Sequence, residues 1–159
     1  MMFAKEHSRL WRAMAAGLAL LTLGAAVARL DGAEEPAIKE MKERVANARI
    51  ADRPPLCLQI AERQVGAASR FYVASDSEQA KAALADVIAF SELARDYAIQ
   101  SHKHEKQSEI IIRRMTRKLA DLKHAVTHEE QQEVQTTIER LQRIRDDLLV
   151  AMFPKVGNK

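Results

Sequence analysis

Histidine is the residue type in this chain most able to hold a metal ion, and His102, His104, His124 and His128 lie beyond residue 33. A helical metal site needs two histidines four residues apart on one face. His124 and His128 have that spacing, but Thr127, the predicted start of a new helix, falls between them. His102 and His104 are two residues apart, so a helix would point them to nearly opposite sides. Solvated surface histidines are therefore expected, and a bundle that binds a metal or small ligand through them is the alternative hypothesis.

Cys57 is the only cysteine. It lies in the first turn of a predicted helix, where the helix dipole could lower the thiol pKa and make the residue reactive. It also shares an apolar face with Ile60, Ala61 and Phe71, which favours a buried small side chain. An intermolecular disulfide or a redox-sensitive thiol is the other interpretation. A single cysteine excludes an internal disulfide, and a c-type haem is excluded because the sequence contains no C-x-x-C-H.

The sequence contains no recognisable catalytic motif. It has no Gly-rich phosphate loop, no nucleophile elbow and no H-E-x-x-H, and its carboxylates are spread along polar helix faces. We therefore predict no catalytic residue, no cofactor site and no metal site, and a chain that is not an enzyme.

Basic side chains are concentrated in the second half of the chain. Interspersed acidic residues make a solvated face with i,i+4 ion pairs the simplest interpretation. A docking surface for an acidic partner or an anionic membrane is the alternative, and nucleic acid is not an expected partner. The basic residues are Lys103, Lys106, Arg113, Arg114, Arg117, Lys118 and Lys123, with Arg140, Arg143 and Arg145 following.

The element that must position these side chains is a heptad seam over residues 75–126, uninterrupted by Gly or Pro. Residues 101–109 contain no apolar side chain, so two interpretations compete: one continuous helix, or a break near His104. We predict an all-α fold in which antiparallel hairpins share one long central helix, with a compact four- or five-helix bundle as the alternative. A continuous helix would leave Ala94, Ala98 and Ile112 partly uncovered and open to a partner helix. The seam residues are Ala80, Leu84, Val87, Ser91, Ala94, Ala98, Ser101, Glu105, Ser108, Ile112, Met115, Leu119, Leu122 and Val126.

Three shorter helices are predicted around this seam. The first follows residues 34–36 and carries Ile38, Met41, Val45 and Ala48 on one face; the second runs from Pro55 to about Tyr72; the last begins after Thr127 and ends at Phe153. Capping boxes are predicted at Ser75 with Glu78 and at Thr127 with Glu130. Gly66 interrupts the second helix, which suggests a close helix approach.

Residues 1–33 have the organisation of a secretory signal peptide: a basic start, an uncharged stretch over residues 13–28, and Ala26-Val27-Ala28 as a small-x-small cleavage site. The uncharged stretch is shorter than the ~20 residues that span a bilayer as a helix, so an uncleaved anchor is the minor alternative. We predict a helical domain over residues 34–153 and a disordered tail over residues 154–159. The 21 basic and 20 acidic side chains of residues 34–159 nearly cancel.

Residues 64–96 resemble a tetratricopeptide repeat, with Ala68, Phe71, Ala80 and Leu84 at matching positions, although Gln64 replaces the usual large residue, Val87 the usual Ala, and no Pro closes the unit. The chain also looks like small exported helical proteins of bacteria. In size and export it is similar to the hairpin-shaped periplasmic chaperones of envelope stress, whose L-T-x-x-Q motif is absent here. No functional residue is carried over from either family.

These observations predict a non-catalytic periplasmic or extracellular protein. We expect it to act as a scaffold or chaperone-like module that binds a protein partner, or another copy of itself, through helix surfaces. Contact with a membrane is expected only through an uncleaved signal segment.

Overall fold

The computed structural model describes residues 37–154. Residues 41–154 belong to one compact unit, and residues 37–40 belong to a separate one. The predicted signal peptide, the helix start at residues 34–36 and the tail beyond Pro154 lie outside the described residues. The elements are α1 (helical over residues 37–47), a 3-10 turn (Ile50–Asp52), α2 (Arg53–Val73), α3 (Ser77–Ser101), α4 (Glu105–Ala125) and α5 (His128–Met152). No strand occurs among residues 37–154, so the predicted all-α class is confirmed.

The predicted continuous helix is wrong, because α3 ends at Ser101 and α4 begins at Glu105. His102 and His104 both have left-handed backbone conformations, with φ of 52° and 64°. The N–H of Lys103 donates to the carbonyl of Ala98, so α3 ends in a Schellman-type turn that normally uses glycine. The alternative prediction, a compact bundle with a break near His104, is the arrangement found.

Burial of the second half of the seam accounts for the break. Ile112, Met115 and Leu119 are all fully buried, and burying such a side chain contributes about 1.5–3 kcal/mol each. A left-handed backbone conformation costs about 1–2 kcal/mol for a residue other than glycine. The cost at His102 and His104 together is therefore smaller than the free energy gained by packing α4 against the other helices. The packing also buries Ala94 and Ala98 completely, so the predicted open seam does not form.

Two pairs of consecutive helices run antiparallel. In the first pair, Arg53 Nη1 of α2 donates to the Tyr97 hydroxyl of α3 at 3.3 Å, and Gln64 Nε2 donates to Asp86 at 3.1 Å. From the first contact to the second, the residue number rises along α2, from 53 to 64, but falls along α3, from 97 to 86. This order requires that the two helices run in opposite directions.

The second pair shows the same reversal. Arg145 of α5 donates to Glu109 near the start of α4 at 2.8 Å, and Lys123 near the end of α4 donates to Gln135 at 2.8 Å. Glu109 is a mostly buried carboxylate, with a side chain 10% exposed, and Arg145 is its closest cation. This ion pair therefore ties the two helices together near the α3–α4 break.

The second helices of the two pairs, α3 and α5, run parallel to each other. Ser77 of α3 donates to Glu130 of α5 at 2.6 Å, and Arg95 of α3 donates to Asp147 of α5 at 2.8 Å. α2 packs beside α4, and α3 beside α5, whereas within residues 37–154 α2 and α5 do not pack against each other. The four helices therefore form two layers, the α2/α4 layer and the α3/α5 layer, with the seam between them.

Residues 41–47 of α1 contact α3. Lys42 forms an ion pair with Asp86 of α3 at 3.6 Å, and its ammonium lies 5.3 Å from the centre of the Phe90 ring. Met41 and Val45 are buried, as the predicted apolar face of this helix requires.

One of the two predicted capping boxes is found. Glu130 Oε2 accepts from the Thr127 N–H at 3.0 Å, and α5 begins at the next residue. Hydrogen bonds from the hydroxyl of Ser77, and then from Thr127, hold the pKa of Glu130 below its ordinary value. The other box is wrong by one residue: Asp76 caps α3 by accepting from the N–H of Gln79 at 3.2 Å, and Ser75 has a left-handed backbone.

The predicted role of Gly66 is also wrong. Among the atoms of residues 37–154, the only one close to a Cβ added there is Nη1 of Arg70, 3.6 Å away in the same helix. Gly66 therefore lies on the outer side of α2, where no neighbouring helix requires a glycine.

Candidate functional site

The structure does not bring the four histidines together. His102 and His104 lie in the turn between α3 and α4, whereas His124 and His128 lie near the end of α4 and at the start of α5, and all are exposed. His102 Nδ1 lies 3.8 Å from Glu105, its nearest carboxylate. Among residues 37–154, no three His, Cys, Asp or Glu side chains are grouped as metal ligands.

The break does create a shallow groove of about 580 Å³ at one end of the bundle. Two apolar side chains, Ile110 and Met152, contribute to its wall. Its lining is completed by polar residues, namely His102, His104, Glu105, Lys106 and Gln107. Because most of its wall is polar and open, it offers little apolar area for a partner.

Cys57 is fully buried, as predicted for a small core residue. Burial raises the pKa of its thiol from 9.0 to about 11, although the nearby positive charge of Arg53 opposes this shift. α2 begins at Arg53, two residues before the predicted start, so Cys57 lies beyond the first turn and its thiol is not activated by the helix start.

Cys57 should react slowly with a thiol reagent in the folded protein. A rise of two pKa units lowers the thiolate fraction about 100-fold at pH 8, and burial restricts access further. Colour development with a disulfide reagent should therefore be at least about 100-fold slower in buffer than in denaturant. Because Cys57 is the only cysteine, all of the colour comes from this thiol. Equal reaction rates in buffer and in denaturant would show that Cys57 is not buried.

A groove of about 500 Å³ lies between α2 and α4 on the outer side of their layer. Arg114 of α4 donates from both Nε and Nη2 to one oxygen of Glu62 of α2, with the Nε contact at 2.9 Å. We call this feature the α2–α4 groove, and its lining residues are Gln59, Glu62, Arg63, Arg114 and Lys118. Three of the five are basic and one is acidic.

A second groove, the α3–α5 groove of about 440 Å³, has a different charge pattern. Arg140 donates from Nε to Glu92 at 2.8 Å, with Nη2 equally close, and Arg95 pairs with Asp147 at 2.8 Å. Acidic and basic side chains are equal in number in its lining, which consists of Glu92, Arg95, Arg140, Arg143, Ile144, Asp146 and Asp147.

The two layers carry opposite charge. α2 has three basic and one acidic side chain and α4 has six and three, so the α2/α4 layer has a formal charge of +5. α3 has two basic and four acidic side chains and α5 has three and six, so the α3/α5 layer has a formal charge of −5. The near-neutral total of residues 34–159 therefore conceals a strong separation of charge.

The ion pairs differ from the predicted solvated face with i,i+4 pairs, because most of them join different helices. Arg140 and Arg145 do not extend the basic surface of α4, because they pair with Glu92 and Glu109. Within α4 itself, the only i,i+4 ion pair among the described residues is Arg113 with Glu109, at 3.7 Å.

The contribution of α2 to this groove was not predicted from the sequence. Arg63 belongs to the α2–α4 groove because α2 packs beside α4, a contact between helices that are not consecutive. Periodicity identifies the outer side of each helix but not which helices are neighbours.

Among residues 37–154, none of the helices combines the length and hydropathy needed to cross a bilayer. Comparison of the whole chain with known protein families, with curated proteins and with solved structures found no match.

Proposed function

We propose that this chain is a non-catalytic, exported helical module that binds another protein through the outer face of its α2/α4 layer, as a scaffold or a chaperone-like protein. The single observation that carries the proposal is the opposite charge of the two layers, +5 against −5. Charge complementarity between surfaces selects partners, orients them and accelerates their encounter. A module with one basic layer can therefore present a defined face to an acidic partner.

The unpaired cations of the layer support this proposal. Arg63, Arg117 and Lys118 are exposed, and no ion pair to any of them occurs within the described part of the chain. Arg117 and Lys118 are in the middle of α4, so the favourable interaction of a cation with a helix C-terminus does not account for them. The resemblance of residues 64–96 to a tetratricopeptide repeat supports the same class of function, because stacked helix pairs serve such proteins as binding surfaces.

Export is the part of the proposal that depends on residues 1–33. Cleavage after Ala28 would remove Trp11, the only tryptophan, so protein purified from the exported fraction should show no indole fluorescence. Its intact mass should correspond to a chain that begins after Ala28. Tryptophan emission together with the full-length mass would identify an uncleaved anchor instead.

Partner capture from the exported fraction tests the binding function. The immobilised wild-type chain should retain one defined protein at low ionic strength and release it at high ionic strength, because salt screens surface charges. The triple variant Arg63→Glu, Arg117→Glu, Lys118→Glu should lose that protein.

A matched triple variant, Arg44→Glu, Arg49→Glu, Arg143→Glu, changes the net charge equally at exposed positions outside the α2/α4 layer. It should keep the captured protein, and circular dichroism should show both triple variants folded. If both triple variants keep the captured protein, or both lose it, the outer face of the α2/α4 layer is not the binding surface.

A further inference from the structure

We infer that the α2–α4 groove binds side-chain carboxylates of an acidic protein segment, with Arg63 and Lys118 as the binding residues and Glu62 as an internal competitor. This inference rests on the proposed function and names the chemistry of the partner. The groove already holds one carboxylate, that of Glu62, gripped through two nitrogens of Arg114.

The geometry of that internal contact indicates the ligand. Arg114 donates two N–H groups to a single oxygen of Glu62, and the planar guanidinium, with five N–H donors, is suited to carboxylates. Arg63 and Lys118 line the same groove without an ion pair among the described residues, so they can receive further carboxylates beside the one from Glu62. A segment with several Asp or Glu residues matches this set.

The outer face of α2 does not favour an anionic membrane. Basic helices that lie on membranes place large apolar side chains beside their charges and bury them in the lipid. Gln59, Arg63, Gly66 and Arg70 follow one another at helical spacing on the outer side of α2, and none is apolar and large. A protein segment therefore fits this surface better than a lipid surface does.

A second copy of the chain is also disfavoured as the occupant. Its acidic layer uses many of its carboxylates internally: Glu92 pairs with Arg140, Asp147 pairs with Arg95, and Glu130 accepts from Ser77. Fewer carboxylates are then left to face the groove of a neighbouring copy.

A short poly-L-glutamate, titrated at low ionic strength against the chain of residues 29–159, tests the inference. The double variant Arg63→Glu, Lys118→Glu should weaken binding on the order of tenfold or more, because two attractive charges become repulsive. Glu62→Gln should strengthen binding by roughly threefold or more, because Arg114 is released to the ligand.

Glu92→Gln is the matched control, because Arg140 holds Glu92 through Nε and Nη2 in the way that Arg114 holds Glu62. It removes the same charge from the α3–α5 groove and should change binding less than about twofold. Equal effects of Glu62→Gln and Glu92→Gln would overturn the inference, as would unchanged binding by the double variant.

Two further measurements address the other occupants. Tighter binding of phosphatidylglycerol vesicles than of poly-L-glutamate, lost in the double variant, would replace the protein segment with a membrane. Self-association of the wild-type chain at low ionic strength, abolished in the double variant, would replace it with a second copy.

The inference and the proposed function can fail separately. If the double variant loses poly-L-glutamate but still captures the exported partner, the inference fails while the proposed function stands. If the wild-type chain captures no partner, the proposed function fails.

Discussion

Replacing Leu119 with alanine should lower the free energy of unfolding by about 2–4 kcal/mol, as for other leucines removed from a packed core. Leu119 is fully buried on the seam of α4, and Leu141 is fully buried on the facing side of α5. The surrounding helices are held by ion pairs at their edges, so we expect them to close only part of the cavity. Urea unfolding followed by circular dichroism gives the change directly.

Arg117→Ala is the control for this substitution, because Arg117 lies two residues away on the exposed side of the same helix. It should change the free energy of unfolding by less than about 0.5 kcal/mol. Small and equal effects of Leu119→Ala and Arg117→Ala would mean that the seam of α4 does not face the core.

Glycine at both left-handed positions of the α3–α4 connection should stabilise the fold. His102 and His104 have φ of 52° and 64°, a region that side chains disfavour and glycine adopts freely. Relief of the left-handed strain should raise the free energy of unfolding by about 1 kcal/mol for each of His102→Gly and His104→Gly. Part of this gain is offset because glycine increases the conformational entropy of the unfolded chain. Thermal or urea unfolding of the double variant measures the combined gain.

Lys103→Gly separates backbone strain from a general effect of glycine. Lys103 lies between the two histidines but does not have a positive φ, so its replacement should be neutral or destabilising. A loss of stability in all three variants would indicate that residues 101–105 prefer the continuous helix.

Much of the core can be predicted because each helix must bury its own apolar stripe. Spacing alone places Leu84, Val87 and Leu119 on the seam, and all three are buried. The capping box of Thr127 with Glu130 is equally predictable, because a helix start has unsatisfied N–H groups and the local sequence supplies the acceptors.

The break between α3 and α4 could not be decided in the same way. Its residues include no Gly or Pro, and the turn uses His102 and His104 in left-handed conformations that histidine rarely adopts. The heptad phase is the same on both sides of the break, which imitates one continuous helix. Each helix keeps this phase because its own stripe faces the core, so the phase carries no information about continuity.

The break also changes which surface is available for binding. A continuous helix would offer the apolar seam at Ala94, Ala98 and Ile112, but all three are fully buried. The available face is instead the charged outer side of the α2/α4 layer. The pairing of Glu62 with Arg114 across that layer depends on α2 lying beside α4, which is a property of the tertiary packing rather than of either helix.

Hydrogen–deuterium exchange of the chain, alone and with its captured partner, tests the proposed binding face most directly. We predict slower exchange on binding over residues 59–70 of α2 and 110–121 of α4, with little change over α3 and α5. Protection confined to the α3/α5 layer, or to the His102–His104 turn, would contradict the assignment of the α2/α4 layer as the binding surface.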